Sequence, residues 1–173
     1  MARATLGVIV GNRDFFPDAL VTEARADVLA LFAEMDITPV IVDETATKLG
    51  GVETRAHAKV CDELFKQHRE QIEGIVVVLP NFGDEKGVAD TMRLSGLDVP
   101  ILVQAYPDDV TSFTLERRRD SFCGKISVCS DLRQYGYAYT LTERHTVPVQ
   151  SAEFRADLSP DDLSTDVESQ VSQ

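Results

Sequence analysis

The sequence predicts an α/β fold: a three-layer α/β/α sandwich built on a mostly parallel sheet. Three observations predict it. Short, continuous apolar runs recur along the chain, as strands covered on both faces require. The segments between them carry apolar residues three or four apart, the spacing of one helix face. The joints are rich in Gly, Pro, Asn and Asp, which punctuate such elements. Strands alternating with helices argue for a parallel sheet wrapped on both sides.

The elements follow in order. Leu6 to Val10 (LGVIV) is the first strand, and it runs into the polar and aromatic loop Gly11 to Pro17. A helix from Asp18 places Leu20, Ala24, Val28, Leu31 and Met35 on one face. Ile37 to Val42 is the second strand, and Pro39 within it requires a strand start or an edge. A loop from Asp43 to Glu53 is long enough to be a candidate for mobility. The next helix spans about Thr54 to Gln71, with Ala56, Val60, Leu64 and Phe65 inward. Ile75 to Leu79 (IVVVL) is the clearest buried strand and ends at Pro80-Asn-Phe-Gly-Asp84. A short helix over Glu85–Leu94 leads through Gly96 to the fourth strand, Val99 to Val103. Tyr137 to Leu141 is the fifth. Right-handed crossovers leave few topologies for this order, and the flavodoxin-like (Rossmann-like) sandwich is the one expected.

The stretch Arg117 to Gly136 (RRRDSFCGKISVCSDLRQYG) is less ordinary. Asp120 or Ser121 is expected to cap a helix whose apolar face is Ile126, Cys129 and Leu132, with Gly136 as its stop. Gly124, in the first turn, costs about 1 kcal/mol against Ala, so close approach of a backbone or ligand is suspected there.

Totals bound the function. The 173 residues suit one well-buried domain, and 43% hydrophobic residues exclude wholesale disorder. A formal charge of −12 argues against a nucleic-acid partner, because phosphate contacts need a basic face. No apolar run is long enough for a membrane span, and the N-terminus reads as a strand rather than a signal peptide. Cys61, Cys123 and Cys129 lack metal-type spacing and imply a reduced, cytoplasmic chain. The sandwich is expected to occupy residues 1–147. Residues 148–173 read as an acidic, disordered tail, at best a frayed helix.

Ligands of open α/β sheets gather beyond the carboxyl ends of the strands. Those ends offer amides from Asn12, Asn81 and Gln104, a guanidinium from Arg13, and rings from Phe15 and Phe82. Amides and Arg match hydroxyl geometry while rings cover C–H faces, so a sugar or polyol suits this surface. The dinucleotide glycine fingerprint, the P-loop, the flavin phosphate cradle and the nucleophile elbow are all missing. His57 and His68 are too far apart for a two-histidine metal site on one helix. A nucleophilic Cys123, with Lys125 nearby and His145 as a base, is a separate possibility.

The runs GVIVGNRDFFP, VVVLPNF, PILVQAYP, RRRDSFCGKISVCSDLRQYG and LTERHTVP resemble the N-terminal region of L-fucose/L-arabinose isomerase-like proteins from about residue 5 to 147. That resemblance implies a domain of a sugar isomerase that interconverts aldoses and ketoses at a divalent metal, usually manganese. It also implies homo-oligomer contacts, or a partner chain carrying the metal domains. Arg13 and Phe82 look like substrate contacts lent to an adjacent subunit, with Asn12, Asn81 and Gln104 as looser candidates. Cys123, Gly124 and Lys125 look like an interface or substrate-proximal turn. The chain departs from the likeness at His145-Thr-Val-Pro148, where a second histidine is usual, and by ending before the metal-binding domains. No cofactor or catalytic residue is expected in the chain itself, so it is expected to be inert alone. The alternative is a non-catalytic sugar-binding or interaction domain.

Overall fold

A computed structural model describes residues 4–111 and 114–158. The element order is β1 (Ala4–Val10), α1 (Asp18–Glu34), β2 (Ile37–Ile41), α2 (Arg55–Gln67), β3 (Gly74–Leu79), α3 (Glu85–Ser95), β4 (Ile101–Ala105), α4 (Ser121–Gln134), β5 (Thr140–Leu141) and α5 (Ala152–Asp157). The strands form one sheet in the order β2-β1-β3-β4-β5, and every pairing is parallel. This is the expected flavodoxin-like sandwich. Pro39 lies in β2, which is an edge, as its missing N–H requires.

Alternation along the buried strands divides the core in two. Ile9, Ile75, Val77, Leu79, Ile101 and Val103 face α2, α3 and α4. Leu6, Val8, Val10, Val76, Val78 and Leu102 face α1 and the segment around α5. Successive side chains of a strand point to opposite faces, so a strand apolar at every position needs helices on both sides.

Four expectations are corrected. The fifth strand is only Thr140–Leu141, because it pairs with β4 alone and only over Leu102 and Val103. The α2 helix ends at Gln67, and Ala56 is exposed while Ala58, Cys61 and Phe65 point inward. On α4 the inner face is Gly124, Lys125, Val128, Cys129 and Leu132, and Ile126 is 57% exposed. Finally, the sandwich continues beyond residue 147. Ser151 caps α5 by accepting from the Phe154 N–H, and Phe154 and Leu158 are buried against the α1 side of the core. Burying a side chain of that size is worth about 1.5–3 kcal/mol, enough to hold one short helix turn in place. The tail expected for residues 159–173 lies outside the described residues.

The α4 helix also starts differently from expectation. Asp120 makes no side-chain cap and has φ 50°. The Ser121 hydroxyl is enclosed without a hydrogen-bond partner. The stop is as read: Gly136 has φ 84°, its N–H donates to Arg133 O, and the Tyr137 N–H donates to Leu132 O.

Candidate functional site

The loops after β1 and β3 lie side by side because those strands are neighbours, and they carry Arg13 and Phe82. The Arg13 guanidinium stacks over the Phe82 ring, 4.5 Å from its centroid. Its Nε donates to Gly83 O at 2.8 Å, and Nη2 is ion-paired with Glu85. Phe16 also stacks on Phe82, with ring centroids 6.5 Å apart, and Arg118 lies over Phe16 at 5.5 Å. Two guanidiniums thus bracket a pair of stacked rings along this edge, each cation–ring pair worth about 0.5–2 kcal/mol depending on desolvation. Beside them, an open cleft of about 540 Å³ is lined by Asp14, Phe15, Phe16, Lys48 and Leu115. Phe15 is 75% exposed there.

The amide residues sit deeper. Asn12 and Asn81 are fully buried and spend their side chains on each other and their surroundings. Asn81 Nδ2 donates to Asn12 Oδ1 at 2.6 Å, Asn12 Nδ2 donates to Glu53 at 2.7 Å, and Asn81 Oδ1 accepts from the Gly83 N–H. They shape the two loops from beneath rather than facing a ligand. Gln104 does not join them. It alternates with Val103 and Ala105, which face α4, and so points to the α1 side, where Nε2 donates to Val147 O. It ties the loop before α5 to β4.

The Cys123-Gly124-Lys125 turn is split by its own helix geometry. Cys123 is exposed, Gly124 meets the Phe82 main chain, and Lys125 is buried with Nζ donating to Thr142 Oγ1 at 2.9 Å. Burial holds the Lys125 amine down to about 8. His145 packs at a tilt against Phe122, the residue before Cys123, with ring centroids 5.2 Å apart. Burial pushes the Cys129 thiol up to about 11 and Cys61 higher still, which removes both as nucleophiles.

Sequence reasoning did not find Phe16, Glu53, Glu85, Tyr106 or Arg119. Arg119 donates to Pro80 O at 2.8 Å, lies over the Tyr106 ring, and is held below its ordinary pKa by burial. The Tyr106 hydroxyl donates to Asp27. The Phe15-Phe16 doublet and the arginine triplet were visible signals. Which member of each faces inward depends on loop conformation, which has no period to read.

A divalent metal fits poorly here. Three of the nearby carboxylates are spent: Glu85 on Arg13, Glu53 on Asn12, and Asp18 on Lys48. Among the described residues no three His, Cys, Asp or Glu side chains converge to hold a metal ion.

A parallel sandwich with polar and aromatic loops at its carboxyl edge is a frame for binding small polar ligands. The chain belongs to a more particular group: the family profile of the fucose/sulfoquinovose isomerase N-terminal domain matches residues 7–160. That match extends through α5, in agreement with its packed Phe154. No curated protein and no solved structure matches the chain. Among the described residues no helix is long and apolar enough to cross a membrane.

Proposed function

We propose that this chain serves as the N-terminal domain of a metal-dependent aldose–ketose isomerase, lending Arg13 and Phe82 as sugar contacts to an active site completed by another subunit or domain. The observation that carries the reading is the Arg13–Phe82 stack at the carboxyl edge of the sheet. Gly83 O and Glu85 hold the guanidinium in one orientation, yet its side chain keeps 27% exposure. A fixed fork of donors beside a ring edge matches adjacent hydroxyls and the C–H face of a sugar. The metal, manganese by family likeness, would be held outside the described residues, among which no three His, Cys, Asp or Glu side chains converge. On this reading the chain alone does not turn over sugar, and it works in an oligomer or with a partner chain in the cytoplasm.

The test mixes the full chain with a polypeptide carrying the remaining domains of a fucose isomerase and Mn²⁺, and follows L-fucose conversion to the ketose. Turnover is expected only in the mixture. Arg13→Ala should then lower kcat/KM by about 10–100-fold through lost substrate positioning. A mixture that never converts L-fucose or a pentose removes the catalytic part of the proposal. The fallback is sugar binding by the isolated chain, lost on Arg13→Ala.

A further inference from the structure

We infer that Gly124 is a positioning residue: it fixes the Phe82 ring, and through the ring Arg13, by seating the first turn of α4 directly on the Phe82 main chain. The inference rests on the reading of Arg13 and Phe82 as sugar contacts.

A Cβ on Gly124 would stand 1.8 Å from the Phe82 carbonyl oxygen, 2.5 Å from its carbonyl carbon and 2.7 Å from its Cα. All three atoms are backbone, so no rotamer change relieves the clash. The crowding at Gly7 and Gly11 is of another kind. There the nearest atoms are side-chain ends, Ile75 Cδ1 at 2.5 Å and Leu79 Cδ2 at 2.8 Å. With hydrogen in place of Cβ, the Gly124 Cα–H points at the Phe82 carbonyl, as in a weak Cα–H···O contact.

Location separates this from ordinary packing of a helix on a sheet. Strand β3 ends at Leu79, and Phe82 lies beyond it in the loop. The residues flanking Phe82 are held by other groups: Arg119 binds Pro80 O, and Arg13 Nε and Asn81 Oδ1 bind the carbonyl and N–H of Gly83. The Phe82 main chain has the Gly124 contact. The start of α4 is locally unfavourable, with Asp120 in the left-handed region and the Ser121 hydroxyl unpartnered. A strained non-glycine residue costs on the order of 1–3 kcal/mol and persists only where surrounding contacts over-determine it. Here the Asp120 N–H donates to Asp108 and its carboxylate accepts from Arg118, while the adjoining Arg119 and Gly124 tie the turn to Pro80 and Phe82 of the loop.

The chain has no tryptophan, so Phe82→Trp supplies a single emission reporter at the site. Adding Gly124→Ala should shift the emission of that indole to the red and raise its quenching by acrylamide, because the ring leaves Arg13 and Phe16. Gly7→Ala in the same background is a control: it should lower stability and leave the emission unchanged. In the reconstituted isomerase, Gly124→Ala on the native Phe82 should lower kcat/KM for L-fucose about 10–100-fold, a cost typical of a displaced positioning group. Unchanged emission in the Gly124→Ala reporter overturns the inference whatever the sugar data show. Shifted emission, with L-fucose turnover indifferent to both Gly124→Ala and Arg13→Ala, leaves the positioning intact and removes the sugar reading beneath it. Should Gly124→Ala fail to fold, the Phe82→Trp protein alone decides the matter. Hydrogen exchange at Gly124 and Lys125 and acrylamide access to the reporter indole should then rise together in sub-denaturing urea. Independent rises count against the inference.

Discussion

Helices α3 and α4 begin at the same edge of the sheet, yet they begin in opposite ways. Asp84 caps α3 from an extended backbone, and its carboxylate accepts the Gly87 N–H at 2.6 Å. That start is explained by its own four residues. The α4 start has Asp120 at φ 50°, no side-chain cap and an enclosed, unpartnered Ser121 hydroxyl. It is held from outside the helix: Asp108 accepts the Arg119 and Asp120 N–H groups, and Gly124 sits on the Phe82 main chain. One helix is placed by local chemistry and the other by tertiary contact. Both starts touch the candidate site, α3 through the Glu85–Arg13 ion pair and α4 through Gly124 on the Phe82 main chain.

Substitutions can break this comparison, and the largest effect belongs to Gly124→Ala. A methyl forced against main chain should cost about 3 kcal/mol or more, read as a lower urea midpoint. A loss below about 1 kcal/mol would put α4 in the same class as α3.

Lys125 comes next, and here the sign depends on pH. The residue is 3% exposed, and its amine sits at about 8 in the folded chain, below its ordinary 10.5, because burial disfavours the charge. The folded state therefore carries a penalty while the amine is charged, in full below pH 8. The penalty is released as pH rises from about 8 to 10.5. Lys125→Met should stabilise the chain by about 1–2 kcal/mol at pH 7, after allowing for the lost Thr142 hydrogen bond. The gain should fade by pH 10.5, which chemical denaturation across that range would show.

Smaller effects sharpen the contrast. Asp84→Ala removes an ordinary cap and should cost about 1 kcal/mol by urea denaturation. Asp120→Gly should do the reverse, a gain of about 0.5–1 kcal/mol in the same assay, because glycine accepts the positive φ that Asp120 now bears.

The same division marks what the residues alone disclosed. The runs from Leu6 to Val10 and Ile75 to Leu79 could only be doubly covered strands, and the flavodoxin-like order followed from them. Arg13 and Phe82 were legible because a strand end fixes where its loop emerges. Gly124 was legible as a close approach, since a first-turn glycine has an energetic cost that something must offset. The chain's own pattern could not disclose that Phe16 rather than Phe15 would face Phe82, nor that Gln104 would turn to the α1 side. Those choices depend on loop conformation and on the parity of strand ends. Phe154 was hidden by the acidic residues around it, because one buried ring in a short helix makes no periodic signal.

Pro39 carries a consequence of a different kind. Strand β2 is an open edge of the sheet, the position from which parallel sheets recruit foreign strands and grow into aggregates. A residue without an N–H in the middle of that edge removes one donor from the row an incoming strand would need. The sequence thus carries a block to chain-on-chain growth at β2. Replacing Pro39 with valine would be expected to show up first in light scattering on storage, before any change in the melting curve.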